Sequence, residues 1–135
     1  MRTVLLDTVG LLAIWDESDQ WSSAANEAFE RLRQRPVRLI TTTLVLYECG
    51  NAASRKPYRD EVCNLWNKLE KLGNLIHPTH IQLRSAWAVY ARRQPGAAGI
   101  VDLVSFAVMR EYGASEAFTN DAHFRAEGFI TLIET

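Results

Sequence analysis

The sequence has few of the features that mark secreted or membrane proteins. It has only two cysteines, Cys49 and Cys63, and both lie in segments with a helical apolar pattern. Because cysteine is among the residue types most often buried, we expect both to be reduced core residues. No apolar run approaches the ~18 residues that a membrane span requires, and the N-terminus lacks the apolar stretch of a signal peptide. These absences predict a soluble, cytoplasmic protein with no membrane partner.

The chain also lacks an excess of charge of either sign. Lys and Arg number 15 against 16 Asp and Glu, which gives a formal net charge of -1. This balance excludes a strongly basic protein that coats nucleic acid, so a nucleic-acid partner would have to meet local patches. No repeat, linker or low-complexity tract interrupts the 135 residues. Because this length suits one core, we expect a single domain over residues 1–135.

Strand patterns alternate with helical patterns along the chain. Short apolar runs predict strands at 3–6, 37–40, 75–76, 116–119 and 129–133. Helical spacing predicts helices at 11–15, 24–32, 44–52, 58–73, 81–91 and 101–112, and a short one from 121. The alternation predicts an α/β fold with three αβα layers around a central, mostly parallel sheet.

Three helical stripes carry expectations about burial. One stripe joins Leu44, Glu48 and Ala52, and it would place a glutamate among buried apolar side chains. The other two stripes are expected to be mostly core, and they consist of Trp66, Leu69 and Leu72, and of Leu83, Trp87 and Tyr90.

Four acidic residues stand at the end of an apolar run or inside one: Asp7, Glu48, Asp102 and Asp121. An unpaired charge taken out of water costs several kcal/mol, so repeated acids of this kind indicate a compensating cation or partner. Ligands of open parallel sheets bind beyond the carboxyl ends of the strands, where all four acids could converge. Carboxylate oxygens suit hard cations such as Mg2+ or Mn2+.

Each acid also has a structural explanation. Asp7 and Asp121 could cap the helices that follow them, and Asp102 could answer the dipole at the start of its helix. Glu48 could be a structural residue of its stripe. Any one of these structural explanations could hold alone. The odds that all four hold at once are much lower.

The resemblance to a known family rests on four segments in a fixed order. These are residues 4–8 (VLLDT), 42–48 (TTLVLYE), 101–110 (VDLVSFAVMR) and 117–124 (AFTNDAHF), the last followed by Gly128 and Phe129. Together they resemble PIN-domain proteins, and in particular the VapC ribonuclease toxins of bacterial toxin–antitoxin pairs. The resemblance spans essentially the whole chain.

The resemblance implies which residues form the site. It assigns the acidic, metal-binding and catalytic positions to Asp7, Glu48, Asp102 and Asp121, and accessory hydroxyls to Thr8, Ser105 and Thr119. We expect Asp7 and Asp102 to bind metal directly, and Glu48 and Asp121 directly or through water.

Two residues beside Asp121 extend the accessory set. They are Asn120 and His123. His123 could orient water or phosphate, and it could equally be a surface histidine.

The resemblance also implies the activity and the partners. It implies an endoribonuclease that uses Mg2+, or Mn2+ in its place, to activate water against an RNA phosphodiester, leaving 3'-hydroxyl and 5'-phosphate ends. It further implies a homodimer and a small cognate antitoxin that blocks the acidic pocket.

Other functions would also place an acid after the first strand. A phosphoacceptor receiver or an aspartate-nucleophile phosphatase would use a late lysine, but no lysine follows Lys71, and the phosphatase needs a second acid where Val9 stands. A PIN domain that binds RNA or protein without cutting remains an alternative, although the intact acid set speaks against it. A metal-dependent cleavage assay decides between the two.

Overall fold

The computed structural model describes residues 1–135, which form five strands and seven helices. The strands are β1 (Thr3–Leu6), β2 (Arg38–Thr42), β3 (Leu75–Ile76), β4 (Glu116–Phe118) and β5 (Ile130–Thr131). The helices are α1 (Thr8–Trp15), α2 (Ser22–Leu32), α3 (Thr43–Ala53), α4 (Arg59–Leu72), α5 (His80–Arg92), α6 (Ile100–Tyr112) and α7 (Ala122–Ala126).

The strands pair in the order β3-β2-β1-β4-β5, and every pairing is parallel. Successive side chains of a strand point to opposite faces of the sheet. Val4 and Leu6 of β1 therefore join a core cluster with residues of α1 to α4, whereas Leu5 joins a second cluster with residues of α5 and α6. The predicted αβα sandwich with a parallel sheet is confirmed.

Local signals set most of the element boundaries. The Thr42 side chain caps α3 by accepting from the Val45 amide. Gly73 and Gly113 end α4 and α6 in the left-handed conformation, which only glycine adopts without a steric penalty. The last strand, β5, has two residues instead of the five that the apolar run 129–133 predicted.

The expectation that Glu48 lies in a buried stripe of α3 is wrong. Glu48 and Ala52 are exposed and Leu44 is half-buried, while the buried side of α3 carries Val45 and Cys49 together with Leu46 and Ala53. The helix is therefore rotated so that Glu48 borders the core without entering it.

The burial expected for the other two stripes and for the two cysteines is only partly found in the structure. Leu72 is 62% exposed, Trp87 60% and Tyr90 46%, so these ends of the two predicted stripes lie on the surface. Leu69 is buried as expected, and Trp66 and Leu83 are half-buried. Cys49 is buried, but Cys63 is exposed, so only one of the two cysteines is a core residue.

A glycine sets how closely α1 approaches the sheet. A Cβ atom added at Gly10 would lie 2.2 Å from the backbone oxygen of Phe118, far inside van der Waals contact. The first helix can therefore start directly after β1 and still lie against the end of β4. None of the helices is both long and apolar enough to cross a membrane.

Candidate active site

The site starts where two neighbouring strands end. Because Leu6 of β1 is in register with Phe118 of β4, the next residues, Asp7 and Thr119, come side by side at the carboxyl edge of the sheet. The Thr119 hydroxyl donates a hydrogen bond of 2.8 Å to Asp7 Oδ2. Thr119 is fully buried, and Asp7 is 2% exposed. Sheet register therefore holds a buried carboxylate in one orientation.

Asp7 does not act as a helix cap. It occupies the N-cap position of α1, but its side chain makes no capping hydrogen bond to that helix. The pKa of the Asp7 carboxyl is raised to about 6, chiefly by burial and to a smaller extent by the charges of Asp121 and Glu48, while the hydrogen bond from Thr119 lowers it. Ionisation of Asp7 therefore costs free energy in a buried, negatively charged environment, as expected of a residue that binds a cation.

Glu48 reaches the same edge from α3. Its Oε1 accepts a hydrogen bond of 2.6 Å from the Thr8 hydroxyl, which comes from the first residue of α1. The contact joins the helices that follow the first two strands. Thr8 therefore orients Glu48 much as Thr119 orients Asp7.

Asp102 comes from the opposite layer, in the first turn of α6. Burial raises the pKa of its carboxyl to about 7, with added contributions from the charges of Asp7, Asp121 and Glu48. One turn later, the Ser105 hydroxyl is fully buried and has no hydrogen-bond partner. Such orphaned polar atoms are rare in folded proteins, and this one lies three residues after Asp102 on the same side of α6, although Ser105 does not line the cleft.

Asp121 is both a cap and a member of the site. Its Oδ1 accepts a hydrogen bond of 2.9 Å from the His123 amide, so the cap interpretation is confirmed for this acid. The His123 ring lies close by, with Nδ1 3.2 Å from Asp121 Oδ1 and 3.9 Å from Asp102 Oδ2. Asn120 is half-buried, but it does not line the cleft that the acids form.

The structure brings the four acids together in one open cleft of about 480 Å³. The cleft is lined by Asp7, Thr8, Val9, Glu48, Asn51, Asp102 and Asp121. Asn51 was missed from the sequence, although it lies one helical turn after Glu48 and so shares its side of α3. The Asn51 amide could add a neutral oxygen ligand, or its NH2 group could donate to a phosphate oxygen.

The donor set fits a hard divalent cation. Four carboxylates in one cleft supply the oxygen ligands that Mg2+ and Mn2+ prefer. None of the residues that line the cleft is a lysine or an arginine, so the lining offers no cationic side chain to offset the carboxylates.

A family model matches almost the whole chain. It is the model for the PIN domain, and it matches residues 4–129. The matched range begins at the second residue of β1, ends just before β5 and contains all four acids.

Two curated relatives are the 23S rRNA-specific endonuclease VapC20 of Mycobacterium tuberculosis, from strains CDC 1551 / Oshkosh and H37Rv. Each is 27% identical over 130 residues, which cover 96% of this chain and 97% of the relative. The crystal structure of Mycobacterium tuberculosis VapC20, a toxin that cleaves the sarcin–ricin loop, matches with a TM-score of 0.77 at 24% identity. That match covers 94% of this chain and 96% of the mycobacterial one. The two chains therefore share the same fold. The chain belongs to the PIN domain family.

Proposed function

We propose that this protein is a metal-dependent endoribonuclease and the toxin of a toxin–antitoxin pair. The observation that carries the proposal is the convergence of Asp7, Glu48, Asp102 and Asp121 in one cleft at the carboxyl edge of the sheet. The relatives that match over almost the full chain are named as endonucleases, and this supports RNA as the substrate class.

The proposed roles follow from how each side chain is held. Asp7 and Asp102 are the direct metal ligands, since burial makes an unneutralised charge most costly at these two positions. Glu48 and Asp121 bind directly or through water. Mg2+, for which Mn2+ can substitute, supplies Lewis-acid polarisation of a phosphate oxygen and activation of water when bound.

Neighbouring hydroxyl and amide side chains position the carboxylates of the site. Thr119 and Thr8 fix the orientation of Asp7 and Glu48, so neither carboxylate has to reorganise when substrate arrives. Ser105 supplies a buried hydroxyl beside Asp102, and Asn51 a neutral amide at the rim. The open shape of the cleft suits a polymer backbone that passes across it.

The substrate and the location follow from the relatives. Ribosomal RNA is the first substrate to test, because the curated relatives are named for cleavage of 23S rRNA. A substrate of this kind implies that the protein acts in the cytoplasm.

An antitoxin would have an apolar surface to bind beside the cleft. A groove of about 400 Å³ lies between α1, α2 and α4, and ten of its fourteen lining residues are hydrophobic. Leu6 and Leu11 line this groove, and they flank the segment that carries Asp7 and Thr8. The groove and the acidic cleft share no lining residue, so a partner seated in the groove would have to extend past the start of α1 to block the cleft.

A homodimer is proposed on the exposed apolar residues of α5. Ile81 is 76% exposed, Trp87 60% and Tyr90 46%, and the Trp87 and Tyr90 rings contact each other edge to face at 5.6 Å. Trp87 and Tyr90, three residues apart, share one side of α5, and exposed apolar side chains grouped in this way mark an interface more often than isolated ones such as Ile81 do.

Cleavage of RNA by the purified chain tests the nuclease. We expect cleavage of rRNA fragments with Mg2+ or Mn2+, none with EDTA, and none for Asp7→Asn, whose side chain keeps its shape but loses its charge. Cleavage that survives chelation would rule out the metal mechanism. A lack of cleavage across varied RNAs with both metals would favour the alternative, a PIN domain that only binds RNA or protein.

Growth of a bacterial host tests the toxin. We expect expression of the wild type to slow growth and expression of Asp7→Asn, at an equal soluble level, to leave growth normal. If both proteins are harmless, the toxin assignment fails while the nuclease assignment stands on the cleavage assay.

A further inference from the structure

The imidazole of His123 lies where it can contact the same ion as two of the acids. One ligand atom each from Asp102, Asp121 and His123 lies within 4.8 Å of the others. The two carboxylate oxygens nearest to His123 Nδ1 are 3.2 Å and 3.9 Å away. Adjacent ligands of an octahedral ion with bonds of about 2.1 Å are roughly 3 Å apart, so small movements would place all three atoms around one ion.

A backbone carbonyl fixes which ring nitrogen faces the acids. His123 Nε2 lies 2.9 Å from the Gly96 carbonyl oxygen. Because a carbonyl oxygen can only accept, this contact places a hydrogen on Nε2 and leaves Nδ1 as the ring nitrogen that can bind a cation held between the ring and the two carboxylates. This is the arrangement found around metal-bound histidines, in which the second ring nitrogen donates to a carbonyl or carboxylate.

The loop that supplies this carbonyl is anchored next to the ring. Gly96 has a φ of +89°, a conformation that side chains rarely adopt. Arg93, just after α5, pairs with Glu127 at the end of α7, and Arg110 of α6 donates to the same carboxylate at 2.9 Å. These contacts join the loop, α6 and α7, the three segments that hold Gly96, Asp102 and His123.

We propose that His123 is a nitrogen ligand of the ion in the acidic cleft, bound through Nδ1 together with Asp102 and Asp121. The inference rests on the metal site of the proposed function and adds to it a preference among ions. A nitrogen ligand raises the affinity for transition ions, whereas Mg2+ favours oxygen. The site therefore prefers Co2+, and Mn2+ to a smaller extent, to Mg2+ more strongly than a site of four carboxylates would.

Electron spin-echo spectroscopy of bound Mn2+ tests this ligand directly. The full chain is loaded with Mn2+ and measured for modulation from a coordinated 14N nucleus, alongside His123→Gln and His80→Gln. His80 is an exposed histidine at the start of α5 and serves as the matched control. We expect the 14N signal in the wild type and His80→Gln, and its loss in His123→Gln.

Calorimetric titration with Mn2+, Co2+ and Mg2+ supplies the second readout. Loss of a side chain that only supports a metal ligand typically lowers metal affinity about 10- to 100-fold. Loss of a direct ligand should lower the affinity by at least as much. We therefore expect His123→Gln to lower the affinity for Co2+ by at least about tenfold, the affinity for Mn2+ by less and the affinity for Mg2+ least. Melting of the metal-free variants checks folding, which a side chain 41% exposed should scarcely affect.

The outcomes separate this inference from the proposed function. Binding of Mn2+ without a 14N signal, together with equal losses for all three ions in His123→Gln, would overturn the histidine ligand and leave the carboxylate site intact. A 14N signal that persists in His123→Gln would also overturn it. If the wild type binds none of the three ions, the metal site of the proposed function fails and the inference fails with it.

Discussion

Replacing Asp102 by Asn should stabilise the metal-free protein while removing its activity. The pKa of the Asp102 carboxyl rises from 3.8 to about 7, chiefly through burial and then through the charges of Asp7, Asp121 and Glu48. A tenfold change in proton affinity is worth about 1.4 kcal/mol, so ionising Asp102 costs the fold at most about 4 kcal/mol. Because 20% of the side chain still meets water, we discount this to about 1–3 kcal/mol.

The sign of the pH dependence follows from the direction of the shift. Between about pH 4 and pH 7 the folded protein holds a proton on Asp102 that the unfolded chain has released. The contribution of Asp102 to stability is therefore intact below about pH 4 and is lost as the pH rises to about 7. The advantage of Asp102→Asn should be largest near pH 8 and much smaller at pH 5.

Urea unfolding of the chelated proteins at pH 5 and pH 8 provides the measurement. Asp60→Asn is the matched control, since Asp60 is also an acid in the first turn of a helix but is exposed. Loss of a simple dipole partner costs about 0.3–1 kcal/mol, so this control should be slightly destabilised. Metal at about a hundred times its dissociation constant should then stabilise the wild type by about 2.7 kcal/mol, and Asp102→Asn much less.

The reasoning would be refuted if Asp102→Asn behaved like the Asp60 control. A loss of stability at pH 8, with wild-type unfolding unchanged by Mg2+ or Mn2+, would make Asp102 a structural acid that answers the helix dipole. The site of four acids would then be wrong.

Three further variants test the positioning of the site and the surface. Thr119→Val removes the hydroxyl that donates to Asp7, and it should cost about 1–3 kcal/mol in urea unfolding at pH 8 and lower the affinity for Mn2+. Gly10→Ala should lose about 1–3 kcal/mol by thermal unfolding through its clash with Phe118, whereas Gly50→Ala, with open space around it, should gain up to about 1 kcal/mol. Trp87→Glu should convert a dimer to a monomer in light scattering, while Leu72→Glu on α4 should leave the mass unchanged.

The sequence predicted the sheet because its strands are short apolar runs between helical patterns. Such runs are local, and so are the caps and glycines that end the helices, which is why most boundaries agree with the structure. The register between β1 and β4 is not local. The contact between Asp7 and Thr119 depends on which strands are neighbours, and no pattern within either strand specifies that.

The accessory residues divide in the same way. Thr8 and Thr119 were implied by the family resemblance, but their partners, Glu48 and Asp7, became identifiable only with the tertiary structure. The contact of His123 with Gly96 joins residues 27 apart in the sequence through a loop that has no regular structure. Neither a helical period nor a strand period could have predicted that contact.

The exposed residues of α5 show a different limit. A stripe of apolar residues indicates that something should cover one side of a helix, but it does not say whether the cover comes from the same chain. In α5 the Ala86 side chain packs on α6 and its neighbours, whereas Trp87 and Tyr90 remain exposed. The expectation that these two side chains belong to the core is therefore wrong, and an interface at this surface remains a proposal.

Glu48 was selected from the sequence by an argument that the structure corrects. The glutamate is not embedded in an apolar stripe; it lies beside the buried face of α3, next to Cys49, with its carboxylate turned to the cleft. A site residue has to be held by the core and still reach its ligand, so the edge of a buried face is where such a side chain is expected. A polar residue that adjoins an apolar stripe just after a strand is therefore a better signal of a site than one placed within the stripe, and Asn51, one turn further along the same edge, meets that criterion.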